Sequence, residues 1–154
     1  MKLLVLGIGN PILGDDGVGF HVAQELATRI KDDAIDIEDA STSGLNVLDI
    51  IMGYEKVVII DAIKTEGGEP GEIYRLRPED FFKSVHLATS MHDLNLPTVL
   101  EVGNKLMPEE MPREIVIFAI EVEEIEKFTE EMTAKVKEAV PKVVNLVLGE
   151  IGKK

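Results

Sequence analysis

The 154-residue chain contains no cysteine, which excludes disulfides, thiolate zinc sites and cysteine nucleophiles. Tryptophan is absent and aromatic residues amount to 5%, so stacking platforms for single-stranded nucleic acid are not available in number. Positive charge is scarce. Lysine and arginine total 16 against 29 acidic residues, a formal net charge of −13. A polyanion meets net repulsion at such a surface, which argues against nucleic acid and anionic membrane, whereas a metal ion or a basic peptide segment is attracted. No segment approaches the run of about 18 apolar residues that a membrane helix needs, and Met1 to Gly7 is too short for a signal peptide. The expectation is a soluble, cytoplasmic protein. Three familiar hydrolytic motifs are missing as well: there is no G-x-S-x-G elbow, no H-E-x-x-H helix and no Cys-His pair. Amide hydrolysis by this chain would rest on a water activated by a metal or a carboxylate.

What is present is a globular composition, 45% hydrophobic and 29% charged, sized for one domain over residues 1–154. Short apolar runs alternate with amphipathic stretches. Leu3 to Ile8 reads as a strand buried on both faces. Gly17 to Lys31 reads as a helix, with Val18, Val22, Leu26 and Ile30 on one face. Ala34 to Ala40 reads as an edge strand. Ser41 to Ser43 supplies N-cap chemistry for a short helix through Leu45, Leu48 and Ile51 or Met52. Val57 to Ile60 is the clearest buried strand and ends at Asp61. Glu72 to Leu76 and Ile115 to Ile120 follow as strands. A closing helix runs from about Thr129 to Leu148, with Pro141 inside its apolar face and a kink or broken turn expected there. Strands alternating with helices predict an α/β fold, a largely parallel sheet covered on both faces. In such sheets functional residues collect outside the carboxyl ends of the strands.

The first strand leads into Gly7-Ile8-Gly9-Asn10-Pro11-Ile12-Leu13-Gly14-Asp15-Asp16-Gly17. The dinucleotide fingerprint fails because its third glycine position is Ile12. The Gly9 to Gly14 spacing fits a P-loop, yet Asp15 and Asp16 stand where Lys and Ser or Thr belong. Two carboxylates there repel a phosphate. One of them is accounted for by helix capping, and Asp16 is free for a second role. Asp61, Asp39 and this pair all follow parallel strands, so their carboxylates are expected to converge on one edge, where a cation relieves their repulsion. Of the three histidines, His21 falls within the first helix as a surface or boundary residue and His86 has no evident partner. His92 sits in Ser90-Met91-His92-Asp93-Leu94-Asn95-Leu96, a loop entering a helix. With the carboxylates it makes an N/O set with open coordination positions, suited to nickel, zinc, iron or manganese.

The ordered set Gly7 to Asn10, Asp15-Asp16-Gly17-Val18-Gly19, Asp39 with Ser41 to Gly44, Asp61-Ala62 and His92-Asp93-Leu94 resembles the nickel-iron hydrogenase maturation proteases. The likeness is collinear to about residue 104. It implies a three-layer sandwich, a twisted sheet of about five mostly parallel strands between helices. It further implies an endopeptidase that removes the C-terminal extension of a nickel-loaded hydrogenase large-subunit precursor. By motif the family's metal ligands fall on Asp16, Asp61 and His92. The nickel then belongs to the precursor, and other divalent ions are able to take its place. Asp39 is expected as a supporting carboxylate, orienter or base. Two departures stand out: the loop ligand is Asp16 where some relatives carry Glu, and Glu121 lacks a following proline, which leaves Glu121 outside the expected site.

Two rival readings exist. A phosphoacceptor receiver domain also pairs acids after strand one with an Asp after strand three, but it wants Ser or Thr after strand four and Lys after strand five. A nickel-binding maturation chaperone without protease activity would need the same ligands and no hydrolysis.

Overall fold

The computed structural model describes residues 2–40, 45–80, 88–89 and 96–152. Strand β1 (Leu3–Ile8) leads through a short 3-10 turn (Gly14–Gly17) into α1 (Val18–Arg29). Then come β2 (Ile35–Ala40), α2 (Leu45–Ile51), β3 (Lys56–Thr65), β4 (Ile73–Leu76), the two-residue β5 (Ala88–Thr89), α3 (Leu96–Leu106), β6 (Glu114–Glu121) and α4 (Ala134–Ile151). The sheet order is β2-β1-β3-β6-β4, with β5 added to the far end of β3. The first four of these strands are parallel; β4 is antiparallel to β6, and β5 to β3. The expected α/β sandwich, with five main and mostly parallel strands, is what the chain forms.

Alternation along the strands sorts the core into two layers. Leu4, Leu6 and Ile8 of β1, Val57 and Ile59 of β3, and Ile115 and Ile117 of β6 pack with α2 (Val47, Leu48, Ile51) and α3 (Leu96, Val99, Leu100). Val5, Val58, Ile60, Val116, Phe118 and Ile120 pack with α1 (Val18, Val22, Leu26) and α4 (Val136, Val143, Val144, Val147). Helices therefore cover both faces, which is why the central strands read as unbroken apolar runs.

Two sequence expectations change. β3 does not stop at Ile60 but continues to Thr65, because β6 and β5 go on supplying ladder partners there. Its pairing with β1 ends at Gly7–Ile60. Asp61 is thus the first β3 residue beyond that pairing, still at the carboxyl edge of its neighbour. Helix α4 starts at Ala134, not Thr129, and runs unbroken through Pro141. Pro141 is exposed, so the hydrogen bond it forfeits is lost on the solvent side, where water can serve the carbonyl one turn back.

Candidate functional site

The chain passes from β1 to β2 on one side, then crosses back to β3 on the other side of β1. The two connections carry α1 and α2 on opposite faces. Such a reversal opens a crevice at the carboxyl ends of the two central strands, here β1 and β3. The glycine-rich loop leaves β1 at that point, and Asp61 lies on β3 beside it. The turn that carries Asp16 packs against β3.

The glycines explain themselves through packing. A Cβ on Gly19 would strike the carbonyl oxygens of Ile8 and Ile60, and one on Gly7 would strike the Gly19 carbonyl and come within 2.9 Å of the Ala23 Cβ. Paired glycines let the first turn of α1 lie directly on the ends of β1 and β3. This draws the backbone of Asp16 down to the end of β1, against Gly9.

The adjacent acids have different jobs. Asp15 is fully buried and accepts four hydrogen bonds: from the N–H of Glu123 (2.9 Å), of Glu124 (3.0 Å) and of Thr133 (2.7 Å), and from the Thr133 hydroxyl (2.8 Å). Its own N–H donates to the Glu124 carbonyl at 2.8 Å. It clamps the β6–α4 connection onto the glycine-rich loop, so the capping role expected for one of the pair is filled across the fold and not on α1. Asp16 is 5% exposed, and its Oδ2 accepts the Asn10 N–H at 2.9 Å. Asp61 is 7% exposed, and its Oδ1 accepts the Ala62 N–H at 2.8 Å. Each of these two carboxylates therefore has one oxygen fixed by a backbone amide, which sets the plane of the group.

Asp39 pairs across β1 in the row Asp39–Gly7–Ile60. Alternation along β2 puts it with Ile35 and Ile37 on the α1 and α4 face, whereas Asp61 alternates with Ile59 and Ile63 of the opposite layer. Asp39 is exposed. The turn bearing Asp16 thus packs on the strand that bears Asp61, while Asp15 is committed elsewhere and Asp39 lies out on the edge. His92, His86 and the Ser41 to Gly44 stretch lie outside the described residues. Among the described residues, no group of three or more His, Cys, Asp or Glu side chains is placed to hold a metal ion. His21 is half-buried against α4, and burial lowers its pKa against an opposing pull from Glu130.

Two buried acids went unassigned at the sequence level. Glu121 is 1% exposed and accepts the Thr65 N–H at 2.8 Å, the Thr65 hydroxyl at 2.7 Å and the Tyr74 hydroxyl at 3.2 Å. It ties the end of β3 to β4. Glu150, 2% exposed, bridges Lys56 (2.8 Å) and Arg75 (2.9 Å) at the opposite, amino edge of the sheet. The sequence did carry a signal for it: Glu150 follows Val143 and Val147 on the apolar stripe of α4.

Residues 20–150 match the family model described as HycI, hydrogenase maturation protease. The hydrogenase 2 maturation protease of Escherichia coli K12 is 30% identical over 127 residues, covering 82% of this chain and 76% of that protein. The solved structure of the maturating endopeptidase HybD from E. coli superposes with a TM-score of 0.82 at 28% identity, covering 98% of this chain and 92% of that one. The [NiFe] hydrogenase maturation protease HybD from Thermococcus kodakarensis gives 0.81 at 27% identity, covering 99% and 100%. No helix among the described residues is long and apolar enough to cross a membrane. The receiver reading gives way to this match, and the chain belongs to the hydrogenase maturation proteases of the HycI family, a family of peptidases.

Proposed function

We propose that residues 1–154 act as one unit that clips the C-terminal extension from a nickel-loaded hydrogenase large-subunit precursor, reading the precursor's nickel with Asp16, Asp61 and His92. One observation carries this reading. Two nearly buried carboxylates, each with one oxygen pinned by a backbone N–H, stand on separate segments at the reversal point of the sheet. Carboxylates so oriented need no reorganisation to meet a cation, which is the condition for a preorganised electrostatic site. With only two of them and one imidazole, the set leaves coordination positions for ligands that the precursor brings.

In this account the nickel arrives as part of the substrate, and contact with the three side chains sets the scissile bond in register. A water then attacks the peptide carbonyl, its proton passing to one of the carboxylates and from there to the peptide nitrogen, so that the C–N bond breaks and the extension leaves as an amine. Asp39, exposed on the outer edge, serves as a supporting carboxylate that meets the precursor. Without cysteine, and without any of the three hydrolytic motifs, this chain has no evident side-chain nucleophile for a covalent route.

The test is substitution at the ligands. Asp16→Asn, Asp61→Asn and His92→Ala are each expected to slow cleavage of nickel-loaded precursor by about a hundredfold or more. A His92→Ala protein that cleaves at the wild-type rate sinks the ligand assignment. A variant set that binds loaded precursor while the wild type never cleaves it favours a chaperone.

A further inference from the structure

Among the described residues the exposed large apolar side chains are Ile12, Leu106, Phe128 and Leu146. Scattered singly, such residues need no explanation. Ile12 and Phe128 are not scattered. The Thr129 N–H donates to the Ile12 carbonyl at 2.9 Å, and the Gly14 N–H donates to the Thr129 carbonyl at 2.9 Å. A parallel bridge joins Leu13 to Thr129, so Ile12 and Phe128 occupy equivalent positions, one residue before it, on two neighbouring segments. Phe128 is 81% exposed and Ile12 48%. Both segments are anchored by the same buried carboxylate, Asp15, and Ile12 lies in the loop that presents Asp16.

The surroundings have one dominant sign. Residues 123–131 contain Glu123, Glu124, Glu126, Glu130 and Glu131 against Lys127 alone, and all but the half-buried Glu124 of these acids are exposed. Lys64 reaches the segment only through the Glu123 carbonyl, at 3.2 Å. An aromatic side chain held out on a pinned backbone within a collar of carboxylates is complementary to a segment that carries an apolar side chain flanked by lysine or arginine.

We infer that Ile12 and Phe128, within the acidic collar of residues 123–131, form a docking surface for a basic, apolar segment of the precursor whose scissile bond enters the crevice at Asp16 and Asp61. This rests on the endopeptidase reading and adds to it how the substrate protein is held beside the crevice. A pinned surface loses little conformational freedom on docking, so its contacts go into affinity.

The experiment measures steady-state cleavage of nickel-loaded large-subunit precursor by the full chain. It compares the wild type, the Ile12→Ser/Phe128→Ser protein and the Glu126→Lys/Glu130→Lys protein. All four positions are exposed, and matching thermal melts check that the fold is kept. Each double variant is expected to raise KM about tenfold with kcat unchanged. The charge-reversed protein is also expected to lose most of the wild type's weakening with added salt. Unchanged KM in the Ile12/Phe128 variant, with an active wild type, overturns the docking surface and leaves the protease reading intact. The same conclusion follows if the wild type is a dimer that this variant splits without a change in KM, since the occupant is then a second copy. A wild type that never cleaves loaded precursor overturns the reading on which the proposal rests.

Discussion

The carboxylate of Asp15 accepts both the backbone N–H and the hydroxyl of Thr133, 118 residues further along the chain, at 2.7 and 2.8 Å. Its neighbour Asp16 instead takes the N–H of Asn10 within its own loop. Two adjacent and chemically identical residues are thereby separated into a clamp across the fold and a carboxylate held within its own loop.

That separation is measurable. Asp15→Ala strips a buried acceptor from three backbone N–H groups and is expected to lower stability by about 3 kcal/mol, read as a lower urea midpoint. Asp16→Asn is expected to leave stability within about 0.5 kcal/mol of the wild type while slowing cleavage by about a hundredfold or more. Equal stability losses at the two positions would contradict the division.

At the other edge of the sheet, burial alone would raise the Glu150 carboxyl, but the hydrogen-bonded ion pairs with Arg75 and Lys56 outweigh it and hold it at about 2 against an ordinary 4.5. A depressed acid contributes stability that is complete above its unfolded value and disappears as pH falls through its folded one. The contribution is therefore expected to be lost between about pH 4.5 and pH 2. Because Arg75 is 39% exposed, about 1–3 kcal/mol is the expected size. In Glu150→Gln the pH dependence of unfolding over that interval should be flatter, with cleavage at neutral pH retained. Lys56 and Asp61 are five residues apart on β3, about 17 Å of strand, so the pair acts on the fold and not on the site.

Gly19→Ala places a methyl group against the carbonyl oxygens of Ile8 and Ile60. Relief requires α1 to lift from the ends of β1 and β3, costing about 2 kcal/mol and displacing the loop that carries Asp16. The expected result is a lower melting temperature together with a fall in kcat. A protein with normal kcat would show that the close approach of α1 does not position Asp16.

Glu121→Gln tests a different distinction. Its carboxylate lies at the carboxyl edge, yet it accepts hydrogen bonds from Thr65 and Tyr74. Burial, together with the Glu72 and Glu121 carboxylates, raises the Tyr74 hydroxyl pKa, so that hydroxyl stays protonated and keeps donating at neutral pH. The substitution is expected to cost about 1–2 kcal/mol of stability with kcat for the precursor within about twofold of the wild type. A large loss of kcat at unchanged stability would move Glu121 into the catalytic group.

Much of the layout was legible in the sequence wherever local pattern decides it. Leu3 to Ile8 has no polar break, and Val18, Val22 and Leu26 recur at helical spacing; the structure has β1 and α1 there. The length of β3 was not legible. Its apolar run ends at Ile60, but strand length is set by available ladder partners, and β6 and β5 carry it on to Thr65. The role of Asp15 was hidden for a similar reason, since its partners lie over a hundred residues away. The position of Asp61 at the carboxyl edge of β1 was legible, because the ends of parallel strands share an edge. That Asp39 lies on the opposite face of the sheet from Asp61 follows from counting residues along β2, a parity that strand-end position alone does not reveal.

The proposed activity is cleavage of a precursor whose nickel the protein reads. The most direct measurement is the intact mass of a purified hydrogenase large-subunit precursor, nickel-loaded and nickel-free, before and after incubation with the protein. The expected result is loss of the C-terminal extension from the loaded precursor only, and no mass change in either form with Asp61→Asn. Equal cleavage of both forms, or undiminished cleavage by Asp61→Asn, would contradict it.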